Sequence, residues 1–309
     1  MAGSAFWIGQ VISNSIDDQE NKIPTRYLGT STRSIDTMDE GVRDVTGTMT
    51  YRNQNFMLAA YAIGSVAETL SGPGVIHYTV SEIGNDVRQS AWTSGPLNPP
   101  ISFTLEDSKQ AVGTGRNFIR TVNGCVPNSI SIKASSSEVV STDVDYLGQT
   151  VTFSSGTTTS GLVVTRSPYT FGNTSLTVAG STITAKEITL EINQNMEGPH
   201  YLNGSRDIAV PFAGNRDYAL SVTMDLDSSM ASVLYNTYYK STSSFNTTLD
   251  FNKDVTATGS QHAIFTLSGC HISSMDNPSE NEGVTETSME VTVEKVGLVE
   301  YTQDSFLPY

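Results

Sequence analysis

The chain of 309 residues carries 37% hydrophobic and 16% charged side chains. That is long enough for one large domain or two of ordinary size, and too long for a small disulfide-stapled module. Its 17 Lys plus Arg against 32 Asp plus Glu give a formal charge of −15, which argues against a surface built to grip nucleic acid phosphates.

The first residues, Met1 to Asn14, hold a short apolar patch at Phe6-Trp7-Ile8 with no basic region before it, so no secretory signal is expected. No stretch approaches the ~20 apolar residues of a membrane-spanning helix, and the expected place of synthesis is the cytosol. Asp44 to Tyr51 is the first segment with period-two patterning: Thr46, Thr48 and Thr50 share a face with Asp44, as in a half-buried antiparallel strand. A helix is predicted over Asn53 to Ile63, between an Asn cap and Gly64. Turn chemistry follows at Ser71-Gly72-Pro73-Gly74, at Gly95-Pro96 with Pro99-Pro100, and at Ser154 to Gly161.

Glu187 to Asn193 alternates again, with Ile188, Leu190 and Ile192 inward and Glu187, Thr189 and Glu191 outward. Asp217 to Leu226 sets Tyr218, Leu220, Val222, Met224 and Leu226 against Ala219, Ser221, Thr223 and Asp225. A second short helix is predicted over Ser228 to Tyr239, capped by Ser228 or Ser229. From Asp276 to Tyr309 there are eight acidic residues against Lys295 alone. Glu286, Ser288, Glu290, Thr292 and Glu294 alternate there with Thr287, Met289, Val291 and Val293, which predicts a strand with one acidic, wet face.

A catalytic reading finds little purchase. His77, His200, His262 and His271 have no metal-ligand spacing, and no nucleophile elbow or phosphate-cradling glycine loop is present. Cys125 and Cys270 are too few for a disulfide framework and are expected to be small buried hydrophobes. No metal, cofactor or enzymatic activity is predicted.

Two stretches share an order of elements. Strand, loop, strand and helix occur over Tyr27 to Ile63 and again over Lys186 to Tyr239, with Thr48-Met49 set beside Thr223-Met224. Ile101 to Leu105 resembles Ala263 to Leu267, Gly124-Cys125 resembles Gly269-Cys270, and each half closes with an alternating strand before a glycine, Val140 to Gly148 and Met289 to Gly297. The pattern predicts a duplicated, all-β, antiparallel sandwich: one β repeat over Met1 to Arg166, and a second over Ser167 to Tyr309 with the acidic C-terminal strand, each with one short helix.

These residues resemble a known family, the major tail tube proteins of tailed bacterial and archaeal viruses. The resemblance runs through Asp44 to Tyr51, Leu58 to Gly64, Phe103 to Glu106, Gly124 to Ile132, Val144 to Gln149 and Leu190 to Asn195. It implies a β-sandwich or small barrel assembled into stacked rings around an axial channel through which the genome passes. It implies a virion protein of the tail, assembled in the host cytoplasm, whose partners are its own copies and the tape measure, tail terminator and baseplate proteins. DNA would be met only transiently in the lumen, and no membrane insertion is expected. A duplicated chain would complete a pseudo-sixfold ring as a trimer; a single tube domain with decoration would need a hexamer.

The expected lumen-facing residues are Asp44, Thr46, Thr48 and Thr50 in the first repeat, with Glu187, Thr189, Glu191, Thr223 and Asp225 in the second. Loops between inner strands dock onto the next ring in such proteins. The matching loops here are Thr37 to Val42, short for that role, and Asn195 to Arg216, with Asn203, Arg206 and Asp207 as stacking candidates. The alternative reading is a host-recognition sandwich whose Tyr235, Tyr238 and Tyr239 form a glycan-binding surface.

Overall fold

The computed structural model describes residues 8–25, 35, 37–72, 75–82, 102–110, 117–156, 167–202, 204–225, 233–253, 261–276 and 286–302. Outside them lie the Phe6-Trp7 patch, the Pro73-Gly74, Gly95-Pro96 and Pro99-Pro100 turns, residues 157–161 of the Ser154 to Gly161 turn, Leu226 of the predicted 217–226 strand, and residues 228–232 of the second predicted helix. The chain begins with β1 (Gly9–Glu20), β2 (Ile23–Thr25), β3 (Thr37–Asp39) and β4 (Arg43–Asn53), then α1 (Met57–Ile63), β5 (Gly64–Gly72) and β6 (Val75–Glu82). Next come β7 (Phe103–Gln110), β8 (Asn117–Ser135), β9 (Ser141–Gly148) and β10 (Thr150–Ser154). The remainder is β11 (Thr174–Val178), β12 (Ser181–Ile183), β13 (Ala185–Asn193), β14 (Asp217–Asp225), a π-helical turn (Leu234–Tyr239), β15 (Phe245–Asn252), β16 (His262–Asp276), β17 (Glu286–Val293) and β18 (Lys295–Thr302).

Every ladder is antiparallel, and they build a sandwich of one wide layer against an outer one. The wide sheet runs β1-β4-β9-β8-β13-β14-β17-β16. Its inner side carries Val45, Met49, Tyr51, Val144, Tyr146, Ile130, Ile132, Ile188, Leu190, Ile192, Leu220, Val222, Met289 and Val291, all buried in one continuous core. The outer layer comes from the N-terminal halves of β8 and β16, each of which leaves the wide sheet at a bend. β8 there pairs with β7 and β10, and β16 with β15 and β18; β6 and β5 extend the β18 edge, and β11 and β12 the β15 edge.

A glycine in the left-handed region makes each bend: Gly124 at φ 65° and Gly269 at φ 65°. A Cβ there would stand 2.3 Å from Gln149 Oε1 or from Glu294 Oε2, so both conformation and space favour glycine. The next residue, Cys125 or Cys270, is a fully buried free thiol that reaches the carbonyl of Val122 (3.4 Å) or Leu267 (3.6 Å). Burial pushes the Cys125 thiol up to about 12, consistent with the expected buried hydrophobe.

The ladders around the two bends slip at matching places. β8 slips against β9 between Pro127 and Ser129, and β16 against β17 between Ile272 and Ser274. β7 slips between Phe103 and Leu105, with Phe103 opposite Cys125; β15 slips between Phe245 and Thr247, with Phe245 opposite Cys270. β1 slips against β4 between Val11 and Ser13, and β13 against β14 between Ala185 and Glu187. Phe103 and Phe245 thus each stand opposite the cysteine that follows a bend, and Thr50 and Thr223 each stand opposite the residue just past a slip, Ser13 and Glu187.

Two expectations about the first half change. The strand before β4 is β1, at 9–20, where only Gly9 and Ile16 are buried; with so few inward residues it shows no alternation. The predicted helix over 53–63 shortens to α1, because Asn53 still belongs to β4 and Gln54 and Asn55 are buried in the non-helical bend that follows it. All seven residues of α1 are buried, as befits a helix apolar on every side. Phe56, just before it, packs on Phe251 (4.7 Å), Phe265 (5.2 Å, edge-on) and Tyr169 (5.3 Å), adding roughly 0.5–1.5 kcal/mol per aromatic pair beyond area burial.

Candidate functional site

The side chains that point away from the core of the wide sheet form a largely polar face, interrupted by Ala219 and, toward the loop end, by Leu147, which packs with Val126, Met196 and Ala213. Cross-strand partners in an antiparallel ladder share a face, and the registers carry that face from strand to strand. Thr50 stands opposite Asp143 and Thr48 opposite Asp145; Asp143 stands opposite Ser131, and Ser131 opposite Glu191. Lys133 faces Thr189, Glu187 faces Thr223, Thr223 faces Ser288, and Asp225 faces Glu286. The nine residues Asp44, Thr46, Thr48, Thr50, Glu187, Thr189, Glu191, Thr223 and Asp225 thus lie on the same side of a single sheet. Ser288 and Glu290 of the acidic C-terminal strand share it, with Thr287, Met289, Val291 and Val293 buried behind. Glu294 falls in the bend that follows β17.

Carboxylates outnumber the cations on this face; its lysines are ion-paired, and Arg52, on the same side of β4 as Thr50, donates to Gln10 Oε1 at 3.0 Å. Lys133 binds Asp143 at 2.7 Å, and Lys186 bridges Asp225 (2.6 Å) and Glu286 (2.5 Å). Burial would raise the Asp143 carboxyl, but hydrogen bonds from Lys133 and Thr50 outweigh it and hold it below the usual range. The hydrogen bond to Asp225, then that to Glu286, holds the Lys186 ammonium above its ordinary value. Between β13, β14 and β17 the face dips into an open depression of about 240 Å³ lined by Glu187, Thr189, Thr223 and Glu290. That is below the ~300–1,000 Å³ of small-molecule pockets.

One end of the sheet is closed off by long loops. The loop between β1 and β4 spans 21–42, not only 37–42, since β2 and β3 form a small hairpin within it. The 194–216 loop folds onto it: Arg206 donates to the Gly41 carbonyl (2.8 Å) and pairs with Glu40 (3.2 Å), and the Arg43 amide donates to the Arg206 carbonyl (2.8 Å). The backbone of Asp207 forms an isolated parallel β-bridge with that of Arg43, and His200 reaches Asp44 at 2.9 Å. Arg206 and Asp207 therefore hold the two loops together, while Asn203 lies outside the described residues. Among its exposed residues the loop sets three large apolar ones, Tyr201, Leu202 and Val210, joined from the hairpin by Ile23 and Met38. The sequence signal for these was Tyr201-Leu202 ahead of the turn pair Asn203-Gly204, an apolar pair at a loop tip.

The tyrosines of the π-helical turn do not form a flat platform. Tyr238 turns inward onto Phe245 (4.9 Å), Tyr239 is half-buried, and Lys240 sits over the rings of Tyr235 (5.1 Å) and Tyr239 (5.3 Å). Among the described residues no group of three or more His, Cys, Asp and Glu could hold a metal ion.

A family model described as phage tail tube protein matches residues 53–294. A search of curated protein sequences finds no relative. Among solved structures, a chain of an extracellular contractile injection system, a PVC sheath-tube complex in the extended state determined by cryo-EM, superposes with a TM-score of 0.35 at 9% identity. It covers 46% of this chain and 98% of its own.

Proposed function

The chain belongs to the phage tail tube protein family, a structural protein of the viral tail, and from that premise we propose that its wide sheet is the wall of an acidic conduit for the genome. Because the inner side of the sheet is sealed by the core, the polar face has only two destinations, outer solvent or lumen. The observation that carries the reading is the continuity of that face across eight strands that end on β1 and the C-terminal half of β16, each paired on one side only among the described residues. An edge left open in one chain invites a neighbour, and closing a ring removes both edges.

We further propose that the chain is two tube units in tandem, over 1–166 and 167–309. The matched bends, slips and helical turns support this, and β8 beside β13 is then a junction between units built into one polypeptide. Three chains would supply the six units of a ring. The apolar tips at Tyr201-Leu202 and Ile23/Met38 would dock on the adjacent ring, and tape measure, terminator and baseplate proteins would meet the tube at its bore and ends.

A conduit must not bind what it conducts. Neutralising phosphates with Lys or Arg creates affinity that rises as salt falls, whereas Thr, Ser and carboxylates do not. Glu187 and Glu191 are both exposed on the face, so E187K/E191K tests the reading. Tubes should assemble normally, and genome release should slow most at low salt, where screening is weakest. Release unchanged at every salt concentration would show that this face is not the lumen.

A further inference from the structure

The two units differ in what covers the outer-layer face beside their bends, and the difference identifies a contact between copies. In the second unit this face is apolar and sealed. Phe265, Ala263 and Leu298 are fully buried; Leu298 stands opposite Val80 of β6, and Phe265 meets Phe56 edge-on at 5.2 Å. The cover therefore comes from the first unit, from the segment around α1 that also packs on β8 and β13.

The matching face of the first unit has no such cover among the described residues. Phe153 stands opposite Arg120 in the β10–β8 ladder as Leu298 stands opposite Phe265 in the β18–β16 ladder, and Phe118 precedes Arg120 by the same step as Ala263 precedes Phe265. Yet Phe118 is 47% exposed and Phe153 62%, against 0% for Ala263 and 1% for Leu298. The two rings touch each other at 4.8 Å, and Arg120 lies 5.9 Å from the Phe118 ring while paired with Asp107 at 2.8 Å. Two exposed aromatics beside a half-buried ion pair have the composition of an interface core with its polar rim, not that of a solvated strand.

The piece of the second unit that corresponds to the α1 segment is the π-helical turn, which follows β14 as α1 follows β4 and packs on β16 as α1 packs on β8. Its inward residue Leu234 is buried, but Val233 and Tyr235 are 45% and 37% exposed. Resting on the two-unit reading, we propose that the partner is a second copy of this chain: the Val233/Tyr235 turn of one copy seats on the Phe118–Phe153 face of the next. The C-terminal half of β16 then lies against the neighbour's β1, repeating between chains the arrangement that β8, β13 and α1 make within one.

The test uses the full chain. F118S/F153S and, from the opposite side, Y235S should leave the monomer folded, its melting midpoint lowered by no more than a few degrees, because these largely exposed side chains lose only an aromatic and a cation–π contact within the chain. Each should lower the yield of tubes roughly tenfold or more, as truncating interface anchors does. Mixing Phe153→Cys chains with Tyr235→Cys chains under mild oxidation should give a disulfide-linked dimer, with the buried Cys125 and Cys270 unreactive. Wild-type tubes alongside unaffected variants and no cross-link would overturn this contact while leaving the tube reading intact. Wild-type chains that never polymerise would overturn the tube reading and the contact with it.

Discussion

Glu300 accepts the Phe56 amide at both carboxylate oxygens, at 3.0 and 3.2 Å, and is 1% exposed. It thereby satisfies backbone at the entry to α1, across the whole length of the chain. Removing it would strand a buried N–H and open a gap beside the Phe56 cluster. E300A should cost about 3 kcal/mol of stability and E300Q, which keeps an acceptor, about 1–2 kcal/mol, read from denaturant unfolding. Nothing local in Val299-Glu300-Tyr301 signals this role, because its partner is set by the crossing of β18 under α1. The polar-face residues, by contrast, were legible from period two alone. Asp18 is a further case that sequence could not supply: the hydrogen bond from Arg43 at 2.7–2.8 Å holds its carboxyl below the usual range. A depressed carboxyl stabilises the fold above the unfolded-state pKa and loses that contribution as pH falls through the folded value. D18N should therefore lower neutral-pH stability by at most about 1 kcal/mol, this being a partly exposed pair, and the difference from wild type should begin to shrink below about pH 4 and vanish only once the pH lies well below the depressed folded value.

The strands that could be read in advance, β4, β9, β13, β14 and β17, are those with one buried and one wetter face. β1 escaped because it is an edge whose outward residues dominate, and its extent decides how long the first loop is. With β1 ending at Glu20, both units carry a long loop at the same end of the sheet, and Arg206 fastens one to the other. On the proposed reading, their exposed apolar tips serve ring stacking. Y201S/L202S should leave rings intact and shorten the tubes, seen as a shift from long filaments to single rings by negative-stain microscopy. Filaments of ordinary length would remove the loop tip from the stacking contact.

On the scale of the whole molecule, the proposed two-unit reading accounts for a chain longer than one tube unit: the wide sheet holds two four-stranded groups joined edge to edge through β8 and β13. The glycine-cysteine pairs at the bends were the legible trace of that arrangement. The junction itself was not, since nothing in β8 or β13 alone names its partner, and register is a property of pairs. The symmetry of the assembled tube, measured by cryo-EM of polymerised full-length chains, tests the two-unit account most directly. The account predicts three chains per ring, with six similar but alternating units around the bore and the polar face of the wide sheet lining it. Six chains per ring, with half of each chain lying outside the wall, would contradict it.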